Sequence, residues 1–232
     1  MNLTTHLRKQ GYDLIQGPVR NHGLLQLWLK RPIQDAQLYY SHIDHAFQSP
    51  VKLRKRKKQV LSIDVSTQNN YGFYIGMSVM GAILHTLGIP MIDEGTIKSG
   101  KNINLSYDQV VAEEVAIGEL HNYLSNADFI YPNDRLLKNA NRKNILVITG
   151  LLRAKVIQIE IESDRNLNTE LEAKLTKHLE SNMEVSWASE NKLVMKTSQA
   201  RDFPIAVKAS HINFDGGQFV NTLLLTDNRH LF

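Results

Sequence analysis

Hydrophobic and polar residues alternate with a period of two along much of this chain. Ile157, Ile159 and Ile161 are separated by Gln158 and Glu160, and Leu61, Ile63 and Val65 follow the same rule, as do Val51 and Leu53. Ile97, Ile103, Leu105 and Tyr107 share odd parity. Such alternation predicts β-strands with one apolar and one polar face. The nearly apolar run Ile145 to Thr149 predicts a further strand. Two more are expected around Met183 to Trp187 and Leu193 to Thr197, joined by the polar turn Ser189-Glu190-Asn191. A final hairpin is expected from Ile205 to Asn213, through Asp215-Gly216-Gly217, to Phe219 and on to Leu225.

Helical periods are fewer. Thr4 or Thr5 caps a short first helix that ends at Gly11, a strand follows from Tyr12 to Ile15, and Gly17-Pro18 turns the chain. Leu24 to Leu29 reads as a strand or a helix closed by Pro32. Tyr74 to Gly88 is a helix, apolar nearly all round and rich in small residues. Asp108 to Leu124 is ambiguous between strand and helix, and a polar helix-loop stretch runs on to Asn144. Thr169 and Glu172 form a capping box for a helix striped by Leu171, Leu175 and Leu179. Neither a repeat nor a linker interrupts the pattern. The expected fold class is α+β, a single domain with a twisted, mainly antiparallel sheet flanked by helices.

Composition narrows the function. The 232 residues make one large domain or two small ones, and 42% hydrophobic residues suit a globular chain. Zero cysteines exclude disulfides, thiolate metal sites, thiol nucleophiles and S-acylation. Aromatic residues, at 7%, are too sparse to favour a base-stacking nucleic-acid platform. The formal charge, 27 − 23 = +4, suits anionic partners without choosing among them. Met1 to Leu14 has no secretory pattern, and Tyr74 to Ile89 is too short to span a bilayer, so a soluble cytosolic chain is expected.

Candidate chemistry is thin. Gly76-Met77-Ser78-Val79-Met80-Gly81 lacks the second glycine that a nucleophile elbow needs at Met80. Asp164, Asn166 and Asn168 begin like a calcium loop, but Thr169 and Leu175 stand where glycine and glutamate are required. His42 and His45 have no third ligand at a supporting spacing. No phosphate-binding loop appears. The reading is therefore of a non-enzyme with no cofactor and no metal. Positive charge is concentrated at Lys52, Arg54, Lys55, Arg56, Lys57 and Lys58. Near an anionic bilayer each such charge is worth about 1 kcal/mol. The plain alternative is a solvated β-turn whose lysines block edge pairing. Alternating strands suit either a soluble sheet or a transmembrane β-barrel, which periodicity cannot separate.

The order of these features resembles the bacterial gasdermins. The opening segment Leu7 to Ile15 is similar to their helix-to-strand start. Leu24 to Leu29, the small-residue helix Ile75 to Leu84, the acidic stretch Asp108 to Leu124 with Ser125-Asn126-Ala127-Asp128, and the late strand-strand-helix-strand-strand-hairpin order carry the rest. The resemblance covers roughly Leu3 to Val220. It implies a pore-forming effector of antiphage defence, in which a partner protease removes a C-terminal tail and the freed domain oligomerises on the inner membrane. Two hairpins per subunit then enter a large barrel. It implies a domain over residues 1–220 and a C-terminal segment over 221–232, an anionic phospholipid partner, self-association, and an activating protease or regulatory chain, with no specific nucleic acid.

Under that resemblance Lys52–Val65 and Thr96–Tyr107 supply one hairpin, and Ile145–Glu162 with Met183–Thr197 the other. Lipid-facing candidates are Ile103, Leu105, Ile157, Ile159, Ile161, Val185, Trp187, Leu193 and Met195. The basic run is expected at the headgroups. Many members carry an acylated cysteine near the N-terminus; Leu3 stands in that neighbourhood here. Leu223, Leu224, Leu225, Leu231 and Phe232 either plug an apolar groove as an inhibitory tail or form the last strand, as in tail-less fungal relatives controlled by a partner chain. The rival to all of this is a non-enzymatic binding or scaffold domain that uses Lys52–Lys58 on nucleic acid or a protein.

Overall fold

A computed structural model describes residues 7–15, 22–60, 63–67, 100–130, 134–163, 183–189, 192–197 and 202–225. The expected helices Tyr74–Gly88 and Thr169–Ser181 and the cap at Thr4 or Thr5 lie outside the described residues. After a helical turn at residues 7–10, the first strands are β1 (Asp13–Leu14), β2 (Leu27–Leu29), β3 (Gln37–Tyr40) and β4 (Phe47–Gln48). Then come β5 (Lys55–Gln59), β6 (Ile63–Thr67), β7 (Gly100–Asp108), β8 (Val111–Val115) and helix α1 (Ile117–Ser125). β9 (Asp128–Phe129) and helix α2 (Asp134–Asn141) lead to β10 (Ile145–Ala154) and β11 (Val156–Ser163). The chain closes with β12 (Met183–Ser189), β13 (Lys192–Thr197), β14 (Phe203–Asp215) and β15 (Gln218–Leu224).

Among the described residues every strand pairing is antiparallel. An eight-stranded sheet is centred on β10 and β14, and a five-stranded sheet has the order β12-β13-β11-β7-β6. The two are halves of one bent ribbon. β5, β8, β10 and β14 of the large sheet continue along the chain into, or out of, β6, β7, β11 and β13 of the small one. The bend is marked by Lys155 between β10 and β11 and by Gln109, at φ +52°, between β7 and β8. The amide of Val60 donates to the Val110 carbonyl at 2.8 Å, which keeps the paired strands joined through the corner.

β10 explains why the large sheet holds. Its first eight residues are buried on both faces. Ile145 and Val147 pack into one cluster with Ile43, Phe47, Leu120, Tyr123, Leu136, Ile212 and Phe214, while Leu146, Ile148 and Leu151 pack with Ile15, Trp28 and Val207. Helix α1 presents Leu120, Tyr123 and Leu124 to the first cluster, the three- and four-residue spacing of one helical face. The β14–β15 turn places Gly216 and Gly217 at φ +55° and +86°, the positive pair that a two-residue hairpin loop demands.

Several expectations are corrected. The run at 54–58 is not a turn; Lys55–Gln59 form β5, every residue of it exposed. Val51 and Leu53 form no strand, because Pro50 has no amide to donate and the Val51 amide is held by Ser49 Oγ at 3.2 Å; both side chains still pack against the first cluster. The ambiguous stretch Asp108–Leu124 is strand and then helix, divided at Ala116. Lys52–Val65 is divided between both sheets, and within Met183–Thr197 it is β13 that pairs with β11. Of the two readings of the segment after Val220, inhibitory tail or last strand, residues Asn221 to Leu224 take up a strand, pairing in β15 with β14 from Asn213 to Ser210.

Candidate functional site

The register of the small sheet sorts the chain into rows. One row runs Val65, Leu105, Ile159, Met195 and Val185 across all five strands, and the next odd row runs Thr67, Ile103, Ile161, Leu193 and Trp187. Towards the bend a third row runs Ile63, Tyr107 and Ile157, where the Ile157 amide donates to Thr197 Oγ1 at 2.9 Å. Between them lie the polar rows Ser66, Asn104, Glu160, Val194, Ser186 and Asp64, Ser106, Gln158, Lys196, Glu184. Directly paired residues share a face, so five separate stretches of sequence alternate in step.

Burial follows the rows. Leu105, Tyr107, Ile157, Ile159, Ile161, Leu193 and Met195 are all fully or almost fully buried. On the polar side Glu160 is the hub. It receives Gln158 Nε2 at 3.0 Å, Asn104 Nδ2 at 3.4 Å and the Lys192 ammonium at 2.9 Å. The Lys192 bond holds its carboxyl below the usual glutamate range, against a smaller opposing effect of burial. The sheet is thus greasy on one side and a hydrogen-bonded polar lattice on the other.

Where this sheet bends into the large one, the basic strand β5 pairs, among the described residues, with β8 alone. Lys57 Nζ lies 2.7 Å from Glu113 Oε1, and Arg56 Nη2 lies 2.9 Å from Glu119 Oε1. Among the described residues Lys52, Arg54, Lys55 and Lys58 enter no side-chain ion pair. The same corner is fastened from the N-terminal segment. Tyr12 Oη donates to Glu114 Oε1 at 2.6 Å, which also receives Lys208 Nζ at 2.6 Å, and the ammonium lies 4.6 Å from the Tyr12 ring centre. Tyr12 lies over Gly150, where an added Cβ would stand 3.1 Å from the tyrosine oxygen and 3.0 Å from Lys208 Cβ. Burial raises the Glu114 pKa, but the bonds from Lys208 and Tyr12, with Lys58 nearby, leave it below the ordinary value. Burial, then Glu114, push the tyrosine up.

The lipid-facing candidates Ile103, Leu105, Ile157, Ile159, Ile161, Val185, Trp187, Leu193 and Met195 therefore meet in three adjoining rows. Of the tail candidates, Leu223 and Leu224 lie on β15 about half exposed, and Leu225 packs beside the Ile15–Trp28 cluster; Leu231 and Phe232 lie outside the described residues. His42 Nδ1 faces Asp44 Oδ2 at 3.2 Å, and no group of three metal-binding side chains occurs among the described residues. No described helix is long and apolar enough to cross a membrane. Sequence reasoning did not nominate Glu113, Glu119 or Tyr12, because only pairing across the sheet brings them to the basic strand and the corner. It did not nominate Tyr107 either, although its parity with Ile103 and Leu105 was the signal.

Comparison with known proteins fits this geometry. The sequence matches the model of the Bacterial Gasdermin Family over residues 15–219. The fold superposes on that of a bacterial gasdermin from Bradyrhizobium tropiciagri with a TM-score of 0.61, at 16% identity, covering 95% of this chain and 90% of that one. The solved Gasdermin A3 membrane pore matches at 10% identity over 85% of this chain and 79% of that one, with a TM-score of 0.32, too loose a superposition to argue from. No curated protein matches the sequence.

Proposed function

The chain belongs to the bacterial gasdermin family, and from that premise we propose that it is a pore-forming effector of antiphage defence that acts without catalysis. At rest, in the cytoplasm, the apolar face is folded away, its described members Leu105, Tyr107, Ile157, Ile159, Ile161, Leu193 and Met195 being buried. On activation, by proteolysis of a C-terminal segment or by a partner chain, copies assemble on the anionic inner membrane. The small sheet then opens so that its apolar rows face acyl chains and its polar rows face a water-filled lumen. A closed ring of such ribbons leaves no backbone group unpaired in hydrocarbon.

The observation that carries this reading is the alternation of apolar and polar rows across five strands, with Val194 in a polar row and Thr67 in an apolar one as exceptions. A membrane strand needs about 9–11 residues. β7 has nine and β11 has eight, whereas β6 has five and must lengthen into the chain that follows it. The basic strand would lie against headgroups. Because Asn221 to Leu224 are hydrogen-bonded into β15, we place the end of the pore-forming domain at Leu225 and any removable inhibitory segment after it.

Dye release from vesicles rich in phosphatidylglycerol tests this. The chain truncated after Leu225 should empty such vesicles and spare purely zwitterionic ones. Vesicles left sealed by the full chain, the truncated chain and either one mixed with neighbouring gene products would overturn the reading. A scaffold protein would instead leave vesicles intact and bind nucleic acid with a steep salt dependence.

A further inference from the structure

We propose that Glu113 and Glu119 are internal competitors of anionic lipid for the basic strand, so that the resting chain shows a membrane only part of its positive charge. This rests on the headgroup role proposed above for β5 and adds a regulation to it. Arg56 lies opposite Glu114 and Lys57 opposite Glu113 in the β5–β8 register, but the Arg56 guanidinium reaches across to Glu119 in the first turn of α1. Glu119 holds the strand twice. One oxygen takes Arg56 Nη2 at 2.9 Å, and the other accepts the backbone amide of Arg54 at 3.3 Å.

The arrangement is lopsided in a useful way. The Arg56 and Lys57 side chains are each 69% exposed, while Glu119 and Glu113 are 29% and 16% exposed. A bilayer approaching β5 therefore meets the cations first, with the carboxylates behind them. An exposed ion pair is worth about 0–1 kcal/mol, and a cation gains about 1 kcal/mol at an anionic surface. The two holds are nearly matched. Sparse anionic lipid leaves Arg56 and Lys57 with their glutamates, and dense anionic lipid takes them. Lys52, Arg54, Lys55 and Lys58, whose side chains enter no ion pair among the described residues, make the first contact.

Binding of the full chain to phosphatidylglycerol-containing vesicles, read by flotation at low salt, tests the competition. Glu119→Gln should tighten binding about two- to fivefold. Asp35→Asn adds the same charge at an exposed residue with no ion pair among the described residues, and it should do less. In an Arg56→Gln background the gain from Glu119→Gln should shrink to that of Asp35→Asn, because nothing remains to be released. An equal gain in both backgrounds, or one no larger than that of Asp35→Asn, overturns the competition. Glu113→Gln with Lys57→Gln repeats the cycle should Glu119→Gln fail to fold, run in an Arg153→Gln background because Arg153 Nε also lies 3.9 Å from Glu113 Oε2. If Lys52, Lys55 and Lys58 together can be changed to Gln with binding unaltered, the headgroup role of β5 has failed instead.

Discussion

Ile159 of β11 lies directly opposite Met195 of β13, and the two side chains are 1% and 0% exposed. Their contact is the middle of the longest apolar row, with Leu105 on the other flank of Ile159. Ile159→Ala should lower unfolding stability by about 2–5 kcal/mol, as truncations of fully buried side chains do. Lys196→Ala, one residue away on the polar face and exposed, should change it by less than about 0.5 kcal/mol. Because Ile159 and Met195 share a cavity when both are cut back, the double truncation should depart from the sum by about 0.5 kcal/mol or more. Urea unfolding of the parent, Ile159→Ala, Met195→Ala, the double truncation and Lys196→Ala checks these statements.

The cations at Lys52, just before β5, and at Lys55 and Lys58 within it should govern membrane encounter. Changing Lys52, Lys55 and Lys58 to Gln removes three exposed charges without breaking a described ion pair. At about 1 kcal/mol each, binding to phosphatidylglycerol vesicles should fall by up to about a hundredfold at low salt. The gap should close in high salt, where charges more than a few ångströms apart are screened. Flotation at two salt concentrations measures it, and a loss that persists in high salt would assign the effect to something other than charge.

The apolar face of the small sheet was legible in the sequence because a period of two needs nothing but local order. Ile157, Ile159 and Ile161, with Leu193 and Met195, announced it directly, and the gasdermin-like order of elements is confirmed by the family match and the shared fold. What could not be read was the bend. Strands β10 and β11 look like one apolar run with a charged residue at Lys155, and nothing local says that the chain passes there from one sheet to another. Of the readings of the basic run, the solvated β-turn gives way to strand β5, whose exposed residues suit lysine and arginine as at a sheet edge. Partners fixed only by tertiary pairing, such as Glu119 with Arg56, leave no local trace.

Glu160 gives the small sheet a defined response to acid. Its folded pKa lies below the ordinary 4.5, so its bonds stabilise the fold above pH 4.5 and are lost as pH falls through the folded value. Glu160→Gln should therefore melt several degrees below the parent at pH 7. The difference should narrow when the pH is lowered from 7 to below 4.5, as the parent carboxyl takes up its own proton. Thermal melts at both pH values decide it; a constant gap would mean that the loss comes from packing rather than from the charge that Lys192 faces.

Gly150 is needed for the corner to close. A Cβ there would stand 3.0 Å from Lys208 Cβ and 3.1 Å from the Tyr12 oxygen. Gly150→Ala should destabilise the fold by about 1–3 kcal/mol, the range for an overpacked site. The same substitution combined with Tyr12→Ala should recover part of that loss, since one of the two obstructing groups is gone. Urea midpoints of the parent, single and double variants read the recovery, and its absence would place the obstruction wholly on Lys208.

Tyr107 carries the one polar atom among the described apolar-row side chains that has no hydrogen-bond partner. The side chain is 0% exposed, and burial alone pushes its pKa up. An unpartnered buried hydroxyl costs about 1–3 kcal/mol, and removing it leaves a phenyl ring that fills nearly the same space. Tyr107→Phe should therefore stabilise the resting chain, against the usual direction for a core substitution, and raise its melting temperature by several degrees. If the small sheet must open before vesicles leak, as proposed here, the same variant should leak more slowly at equal membrane binding. A destabilised variant would mean that the hydroxyl is bonded, through water, in solution. A stabilised variant with unchanged leakage would separate the resting stability of this face from the step that limits insertion.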